Sequence, residues 1–512
     1  MKQSLTAIEQ SRVEKWRSLE RAWIVCYPER FERDATTWDI KSRVEHLLPS
    51  QLTQIDINTA QRASIAWRIV WRRRHGNIMF LDIQDQSWQI QVGLTRESLI
   101  LLADWRGDAS NNYTIDATNL TSFDIVDKYF DVGDFIGVSG ITFKSQRGFP
   151  AMMMEHVQLL SKSISPLPEK HHWLQDTESR YRKRYLDILN PEIQARLVRR
   201  SRYFSSMRRF FEDEGFLELD TPRLENTTWW ADARPFETHY NAYDSEVFLR
   251  ISAWELWQKR LMAGGFEKTF EIGPVFRNEW VSPEHAQDYM QMEVYWAYAD
   301  YNDMMWLIKN LYLDVIDKTY WKRRFSIHGH EVDFDLEWQI LDYQELIRER
   351  TGIDIFSSTE EEMIEKLENL WAHYEADNRA RLVDYLWKYI RKNITGPAFL
   401  INEPKFTSPL AKSDVHNPDI THRFHIIIAW SEVWNWYSEL NDPIDQLERF
   451  EKQQAMRDAW DDEAQMADYE FIDMLKHGMP PTAGFWVSER LFAFLEWLPI
   501  RECQTFPYVR RK

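Results

Sequence analysis

Apolar residues alternate with polar ones in two stretches that flank a polar segment in the middle of the chain. The first stretch covers residues 269–276, and the second contains Met290, Met292 and Val294. Alternation with a period of two is typical of half-buried strands, and the segment around Pro283 has the character of a loop. The pattern therefore predicts two antiparallel strands joined by a polar loop.

Charged residues make the ends of these strands a candidate site. Arg277 ends the first strand, and its planar guanidinium suits a carboxylate or a phosphate. We expect Glu279 and Glu293 to face the same cleft. For the Arg-Asn-Glu sequence taken alone, an exposed strand edge with solvated charges is the simpler explanation. The hypothesis of a site therefore depends on residues 271–301 as a whole.

The N-terminal part predicts a helical extension, a small β-barrel and a linker. Residues 1–60 are charged and helical in pattern, whereas residues 61–160 contain short β-type runs separated by turns. Residues 161–190 are basic and interrupted by prolines, as linkers are.

Three side chains of the predicted barrel form a candidate RNA-binding set. The set is Arg72, Phe80 and Gln91: Arg72 with its neighbours Arg73 and Arg74 supplies positive charge, Phe80 an aromatic ring and Gln91 an amide. Barrels that bind oligonucleotides use this combination on unpaired bases. A core Phe80 and solvated arginines account for the same residues equally well, and the pattern alone does not decide.

Residues 191–512 predict a mixed α and β domain. Apolar residues at helical spacing predict a helix from Pro191 to Asp213, and an acidic helical insertion is expected at about residues 355–395. Glu255 begins another amphipathic helix, where a carboxylate also compensates the helix dipole.

Two later stretches carry further candidates. The sequence HIIIAWSEVWN at residues 425–435 predicts one strand. Alternating side chains of this strand and of the residues that follow it are expected to project into one cleft. Near the C-terminus a strand containing Gly484 precedes a helix, with Ser488 as its predicted N-cap and Arg490 in its first turn. The candidates in the first stretch are Glu432, Asn435, Tyr437 and Glu439.

These strings together resemble one family. EIGPVFRNEWVSPEHAQDYMQMEVYWAYADY resembles motif 2 of class II aminoacyl-tRNA synthetases, and SPLAK and YSELNDP are similar to the lysyl-tRNA synthetase branch. The resemblance implies an α+β chain: an N-terminal OB-fold β-barrel that reads the anticodon, then an antiparallel-sheet catalytic domain flanked by helices. It also implies a homodimer that joins lysine to ATP, with Mg²⁺, and transfers the lysyl group to the 3′ end of tRNA(Lys).

The resemblance assigns expected roles to particular residues. The catalytic group is Arg277, Glu279, His285 and Arg490; the lysine-binding group is Glu255, Glu293, Tyr295, Asn435, Tyr437 and Glu439; the ATP-binding group is Arg277, Glu279, Glu432, Gly484 and Arg490; the metal ligands are Glu432 and Glu439. His425 departs from the family, which usually has glutamate there, and imidazole is a poorer magnesium ligand than carboxylate.

Net charge and cysteine content limit the possible modes of RNA binding and the possible cellular compartment. A net charge of −18 excludes bulk attraction to nucleic acid, so RNA binding must rest on local basic patches. Two cysteines do not make a disulfide framework. With no signal-peptide pattern and no apolar run of 18 residues, we expect a cytoplasmic protein.

Glycine and tryptophan contents are both abnormal. The 512 residues include only 16 glycines but 25 tryptophans, although glycine usually makes up about 7% of a chain. Some bacterial genetic codes read UGA as glycine and others as tryptophan. Our hypothesis is that many tryptophans stand at glycine positions, including Trp229, Trp230, Trp254, Trp280, Trp430, Trp434, Trp436 and Trp486, whereas Trp257, Trp296 and Trp338 match the family.

Genuine tryptophans would favour a different function. Indole rings at positions 229, 230, 280, 436 and 486 would fill much of a pocket for an amino acid and a nucleotide. The alternative is therefore a non-catalytic tRNA-binding paralogue. A lysyl-transferase that modifies a protein is disfavoured, because such relatives usually lack the N-terminal barrel.

Overall fold

The computed structural model describes most of the chain and divides it into two compact units, Met1–Asn190 and Pro191–Lys512. The described residues are 5–22, 24–51, 55, 61–96, 100–101, 121–168, 174–226, 234–252, 255–280, 282–372, 374, 378–408, 410–458 and 467–511. Among them, none of the helices combines the length and the apolar character that a membrane span requires.

The first unit is built around a closed barrel. Its strands pair in the order β3-β2-β1-β5-β6, and β3 also pairs with β6, which closes the ring. This confirms the predicted OB-type barrel. The elements are α1 (Ala7–Arg21), α2 (Thr37–Val44), β1 (Arg62–His75), β2 (Ile78–Gln84), β3 (Gln89–Thr95), β4 (Ile100–Leu101), α3 (Ser122–Tyr129), β5 (Phe135–Lys144), β6 (Pro150–Ser161), α4 (Thr177–Arg182) and α5 (Arg184–Asp187).

Local sequence explains these elements. In β2, residues alternate between half-buried and buried, so Met79, Leu81 and Ile83 enter the barrel core. The helices α1, α2 and α3 each begin with a threonine N-cap and an acidic residue at the third helical position. Such a capping box satisfies backbone donors that the first turn leaves unpaired.

The second unit combines helices with mainly antiparallel sheets, and each of its two four-stranded sheets also contains one parallel pair. Its elements are α6 (Pro191–Asp213), β7 (Leu217–Glu218), β8 (Leu224–Glu225), β9 (Glu237–Tyr240), β10 (Ser245–Leu249), α7 (Glu255–Ala263), β11 (Lys268–Phe276), β12 (Asp288–Ala297), α8 (Tyr301–Tyr320), β13 (Arg324–Ile327), β14 (His330–Asp333), β15 (Gln339–Asp342), α9 (Tyr343–Thr351), α10 (Glu360–Asn369), α11 (Arg379–Ile390), β16 (Ala398–Ile401), β17 (Arg423–Ile428), β18 (Ser431–Tyr437), α12 (Pro443–Asp458), α13 (Tyr469–Lys476), β19 (Thr482–Ser488), α14 (Glu489–Glu496) and α15 (Ile500–Cys503). The predicted strand pair is confirmed as β11 and β12, and the predicted helix as α6.

Two four-stranded sheets form the centre of this unit. One has the order β19-β12-β11-β7, and the other has the order β15-β16-β17-β18. An isolated bridge between Ser438 and Ala483 joins them. Phe270, Val294 and Phe485 lie opposite one another on one face of the first sheet and are buried in the main core.

The opposite face of this sheet is polar and holds a buried ion pair. Glu271 lies beside Arg250, with 2.6 Å between Oε1 and Nη1, and accepts a hydrogen bond from the Thr221 hydroxyl at 2.6 Å. The side chains of Arg250 and Glu271 are 0% and 2% exposed. Each charge therefore depends on the other, because water does not reach either of them.

The prediction of one strand across residues 425–435 is wrong. The segment is a hairpin, in which β17 and β18 pair antiparallel and Ala429 and Trp430 form the two-residue turn. Both turn residues have positive φ, at 46° and 60°. Two-residue hairpin turns of this kind are signalled by glycine, and the sequence has none here.

We predict that removing the charge of Glu271 strongly destabilises the second unit. Glu271→Gln should lower the free energy of unfolding by about 3–5 kcal/mol, because it leaves a buried guanidinium without its counter-charge. Glu218→Gln is the matched control: its pair with Arg208 is exposed and is expected to contribute about 0–1 kcal/mol. Equal losses in urea unfolding for the two variants would contradict the prediction.

Candidate active site

The candidate site lies on the polar face of the central sheet. Register places Glu271, Glu293 and Trp486 side by side across β11, β12 and β19, and Thr269, Tyr295 and Gly484 in the next row. Opposed residues point to the same face of a sheet. Because β12 pairs with both β11 and β19, residues from two distant parts of the sequence lie side by side on this face.

A cationic cluster lies at one end of this face. Arg277 follows β11, donates from Nε to the Ile251 carbonyl at 3.1 Å, and has its guanidinium carbon 5.7 Å from the centroid of the Tyr289 ring. Arg490 lies in the first turn of α14, where its backbone N–H donates to the Ser488 hydroxyl at 3.2 Å. The predicted N-cap is thereby confirmed.

Electrostatic coupling shows that His285 belongs to the same cluster. Burial lowers the pKa of His285. The positive charges of Arg490 and Arg277 lower it further, and the negative charge of Glu279 opposes the shift. Its Nδ1 lies 2.7 Å from the Ser282 hydroxyl. The cluster favours neutral imidazole and supplies two guanidinium groups to an anionic ligand.

Glu293 is the buried acid in the middle of the face. It is 1% exposed, and its carboxylate accepts hydrogen bonds from the Tyr295 hydroxyl at 3.2 Å and from the Ser252 hydroxyl at 3.4 Å. The Tyr295 side chain is fully buried beside it. A buried carboxylate with hydroxyl neighbours is suited to a cationic group.

Glu439 and Tyr437 surround a lysine of the chain itself. Lys259, on α7, lies 2.6 Å from the Glu439 carboxylate and 5.7 Å from the centroid of the Tyr437 ring. Lys259 and Glu439 are each 1% exposed. Sequence reasoning missed Lys259; its place on the predicted helix that begins at Glu255 was visible, but its burial was not.

Glu432 belongs to a mixed cluster at the other sheet. Its carboxylate lies 2.9 Å from Arg391 Nη1 and 3.6 Å from His425 Nδ1, and the Trp387 indole N–H also donates to it. The other ring nitrogen of His425 is 2.8 Å from Glu403. Burial opposes ionisation of Glu403, but Arg423 and His425 lower its pKa to about 2.

The expected metal ligands offer oxygen atoms but not a closed site. Glu432 faces Arg391 and Glu439 faces Lys259. In the described parts of the chain, no group of three His, Cys, Asp or Glu side chains lies close enough to hold an ion. Mg²⁺ that accompanies nucleotides uses one or two carboxylates and completes its shell with phosphate and water. The partly exposed Glu432 fits such an ion, whereas Glu439 is buried against Lys259.

Three indole rings cover the polar face. The ring centroids of Trp434 and Trp486 are 4.7 Å apart, and those of Trp436 and Tyr295 are 5.7 Å apart. A Cβ atom placed on Gly484 would meet Trp436 at 2.4 Å. Trp436 therefore packs against Tyr295, and Trp486 lies beside Glu293 in the strand register.

An open cavity of about 260 Å³ lies beside this covered face. Its lining includes Glu432, Val433 and Arg490, together with Pro283 and Trp497. The cavity thus brings residues of the loop after β11 together with the first turn of α14.

The remaining predicted site residues either border these clusters or lie outside the described residues. Asn435 is half-buried on β18, opposite His425. Glu279 is half-buried in the loop after β11. The side chain of Glu255 and the residues Trp229, Trp230 and Trp254 lie outside the described residues.

The first unit has its own groove, of about 610 Å³. Phe80 and Gln91 line it, together with Arg73, Trp71 and Trp88. Strand register explains why Arg73 is there, because it lies directly opposite Phe80 on β1.

Arg72, by contrast, points to the neighbouring α3. It lies 2.6 Å from the Asp127 carboxylate and donates to the Phe130 carbonyl at 2.7 Å. The structure therefore brings Phe80 and Gln91 together in the groove, and joins Arg73 to them rather than Arg72. Alternation along β1 was the available signal, since neighbouring strand residues face opposite sides.

Comparison with known proteins identifies the class that this sheet and its two arginines define. Residues 176–510 match the family model described as tRNA synthetases class II (D, K and N). Lysine–tRNA ligase of Thermotoga maritima is 36% identical over 99% of this chain and 97% of its own length. The enzymes of the same name from Halalkalibacterium halodurans and Methanoculleus marisnigri are 37% and 36% identical, over 98% and 99% of this chain. The chain belongs to the lysine–tRNA ligase family of class II synthetases.

We predict that the charge of Arg490 adds to the effect of burial in lowering the pKa of His285. Arg490→Gln should raise that pKa towards its ordinary value, because a nearby positive charge disfavours imidazolium. NMR titration of the histidine rings measures it, with His285→Asn assigning the signal. Arg260→Gln removes a guanidinium that pairs with Asp468 instead and serves as the control. An unchanged or lower pKa in Arg490→Gln would contradict the assignment.

Proposed function

We propose that the protein activates lysine with ATP and transfers the lysyl group to the 3′ end of tRNA(Lys). Membership of the lysine–tRNA ligase family supports this reaction. The observation that supports lysine as the amino acid is the buried carboxylate of Glu293 on the polar face. The relatives match nearly the whole chain, so the comparisons do not support a non-catalytic paralogue.

Activation joins two anions, so charge neutralisation governs it. A carboxylate oxygen of lysine attacks the α-phosphorus of ATP, the bond from that phosphorus to the bridging oxygen breaks, and pyrophosphate leaves. In this proposal Arg277 holds the lysine carboxylate and the α-phosphate, and Arg490 holds the far end of ATP. Positioned guanidinium groups lower the barrier by orientation and by stabilising the charge that develops.

Transfer completes the cycle without a nucleophilic side chain. A ribose hydroxyl at the tRNA 3′ end attacks the carbonyl carbon of the adenylate, and AMP leaves with the bonding electrons. Glu279 and His285, in the loop after β11, are proposed to border ATP and the acceptor end. Glu432 and Glu439 would hold Mg²⁺, which neutralises phosphate charge when it is bound.

Selection of lysine is proposed to follow from the acids of the site. An ammonium buried without a counter-charge costs several kcal/mol, and Glu293 with the Tyr295 hydroxyl offers one. Glu439 and Tyr437 already surround Lys259, so their contribution to a second ammonium requires that Lys259 moves. Glu255 and Asn435 complete the proposed lysine-binding group.

The groove of the first unit is proposed to bind the anticodon. Phe80 offers an aromatic surface, Gln91 an amide, and Arg73 a charge 5.5 Å from the Phe80 ring centroid. Unpaired bases are commonly held by such stacking and charge. From the family resemblance we further propose a cytoplasmic homodimer.

We predict that lysine alone supports pyrophosphate exchange. The protein, purified from the cells that naturally make it, should incorporate labelled pyrophosphate into ATP only when lysine is present. The aspartate and asparagine branches of the same class provide the competing substrates. Exchange that responds to aspartate or asparagine but not to lysine would contradict the proposed function.

Glu293→Gln should specifically impair lysine binding. The substitution keeps the side-chain size and removes the charge, so the KM for lysine should rise at least about tenfold, which corresponds to about 1.4 kcal/mol. The KM for ATP should change much less. Glu218→Gln, expressed in the same host, is the control, and equal changes for both substrates would refute the role.

Phe80→Leu should weaken binding of a tRNA(Lys) anticodon stem-loop. Loss of one stacking surface costs about 1–3 kcal/mol, or roughly fivefold or more in Kd. Tyr185→Leu removes an exposed ring of the same unit that is not among the groove residues. If both variants bind the stem-loop equally well, the groove is not its site.

A further inference from the structure

Three tryptophans and three glycines end helices in the same backbone conformation. Gly215, Gly265 and Gly352 follow helices with φ of 78°, 97° and 80°. Trp321, Trp371 and Trp497 follow helices with φ of 52°, 52° and 56°. Glycine is the usual residue at such helix ends, because it has no Cβ atom to clash in the left-handed region.

Hydrogen bonds show that the two sets form the same motifs. The N–H of Trp371 donates to Glu368 O at 2.9 Å, and the N–H of Ala372 donates to Leu367 O at 3.0 Å. The N–H groups of Gly215 and Phe216 donate to Glu212 O and Phe211 O with the same residue spacing, at 3.0 and 2.9 Å.

The remaining helix ends repeat the correspondence. Trp497 and Leu498 donate to Phe494 and Ala493, as Gly265 and Phe266 donate to Met262 and Leu261. The single bond from Trp321 to Asp317 matches the bond from Gly352 to Arg348. Each tryptophan thus has a glycine counterpart within the same chain.

Packing does not explain why a large side chain occupies these places. Trp321, Trp371 and Trp497 are 71%, 95% and 51% exposed. Bulky residues are genuine outliers in the left-handed region. The indole of Trp371 is almost wholly in solvent, whereas that of Trp321 lies beside Arg202 and that of the half-buried Trp497 beside His328. The conformation therefore has a cost for tryptophan that little buried surface offsets.

The β17–β18 hairpin gives an independent fourth case. Trp430 is the second residue of its two-residue turn and has φ of 60°. Four of the nine non-glycine residues with positive φ in the described parts of the chain are tryptophans. Trp257, Trp296 and Trp338, which match the family, are not among them.

We infer that these four tryptophans are encoded by UGA and that the cell of origin inserts glycine there. The low glycine and high tryptophan contents have the same explanation. The source of the protein then reads UGA as glycine, which requires a glycine tRNA with an anticodon complementary to UGA.

The inference has a consequence for the active site, and this consequence rests on the proposed function. Trp434, Trp436 and Trp486 are not among the residues with positive φ. The ring of Trp436 nevertheless packs against Tyr295, and Trp486, whose ring packs against Trp434, lies beside Glu293 in the strand register. Glycine at these three positions would open the polar face to a ligand.

The coding triplets and the mass of the native protein test the inference directly. The gene should have UGA at positions 321, 371, 430 and 497, and UGG at 257, 296 and 338. Peptides of the protein purified from its own cells should have the mass of glycine at the first four positions. UGG codons or tryptophan masses at those four positions would overturn the inference, whatever the enzyme's activity.

Thermal unfolding tests the structural argument separately. The chain expressed with tryptophan at all 25 positions is the parent protein. It is compared with its W321G/W371G/W497G variant and with a W257G/W296G/W338G control. The first variant should have a higher Tm than the parent, and the control a lower one. A lower or unchanged Tm for the first variant would refute the argument from helix ends. Neither readout involves lysine, ATP or tRNA, so failure here differs from failure of the proposed reaction.

Discussion

The antiparallel pairing of β12 with both β11 and β19 is the constraint on which the site depends. Because a strand has a period of two, this register fixes at once which residues enter the core and which face the cleft. It places Phe270, Val294 and Phe485 in the core, and Glu293 with Tyr295 on the polar face. A shift of one residue would exchange the two sets and destroy both core and site.

Apart from the buried pair of Arg250 with Glu271, cationic and anionic side chains occupy different parts of the face. Arg277 and Arg490 gather at one end with His285, whereas Glu293 is buried among hydroxyl groups further along. An amino acid with a cationic side chain has its carboxylate and its ammonium at opposite ends. We therefore propose that lysine lies along this face with its carboxylate towards Arg277 and its ammonium towards Glu293.

Much of this arrangement could be predicted from sequence because local patterns determine it. The strand pair, α6 and the Ser488 cap follow from periodicity and capping alone. The β17–β18 hairpin was missed because its turn lacks the usual glycine signal. Alternation along β1 separates Arg72 from Arg73, but which of the two faces the groove depends on the pairing with β2. The burial of Lys259 depends on its contact with the distant Glu439.

A crystal structure of the protein made by its own cells, bound to a non-hydrolysable lysyl-adenylate analogue, tests the account most directly. We expect the ammonium within hydrogen-bonding distance of Glu293, the phosphate beside Arg277, and no side chain at positions 436 and 486. An analogue bound elsewhere, or indole rings on the face where it should lie, would contradict the account.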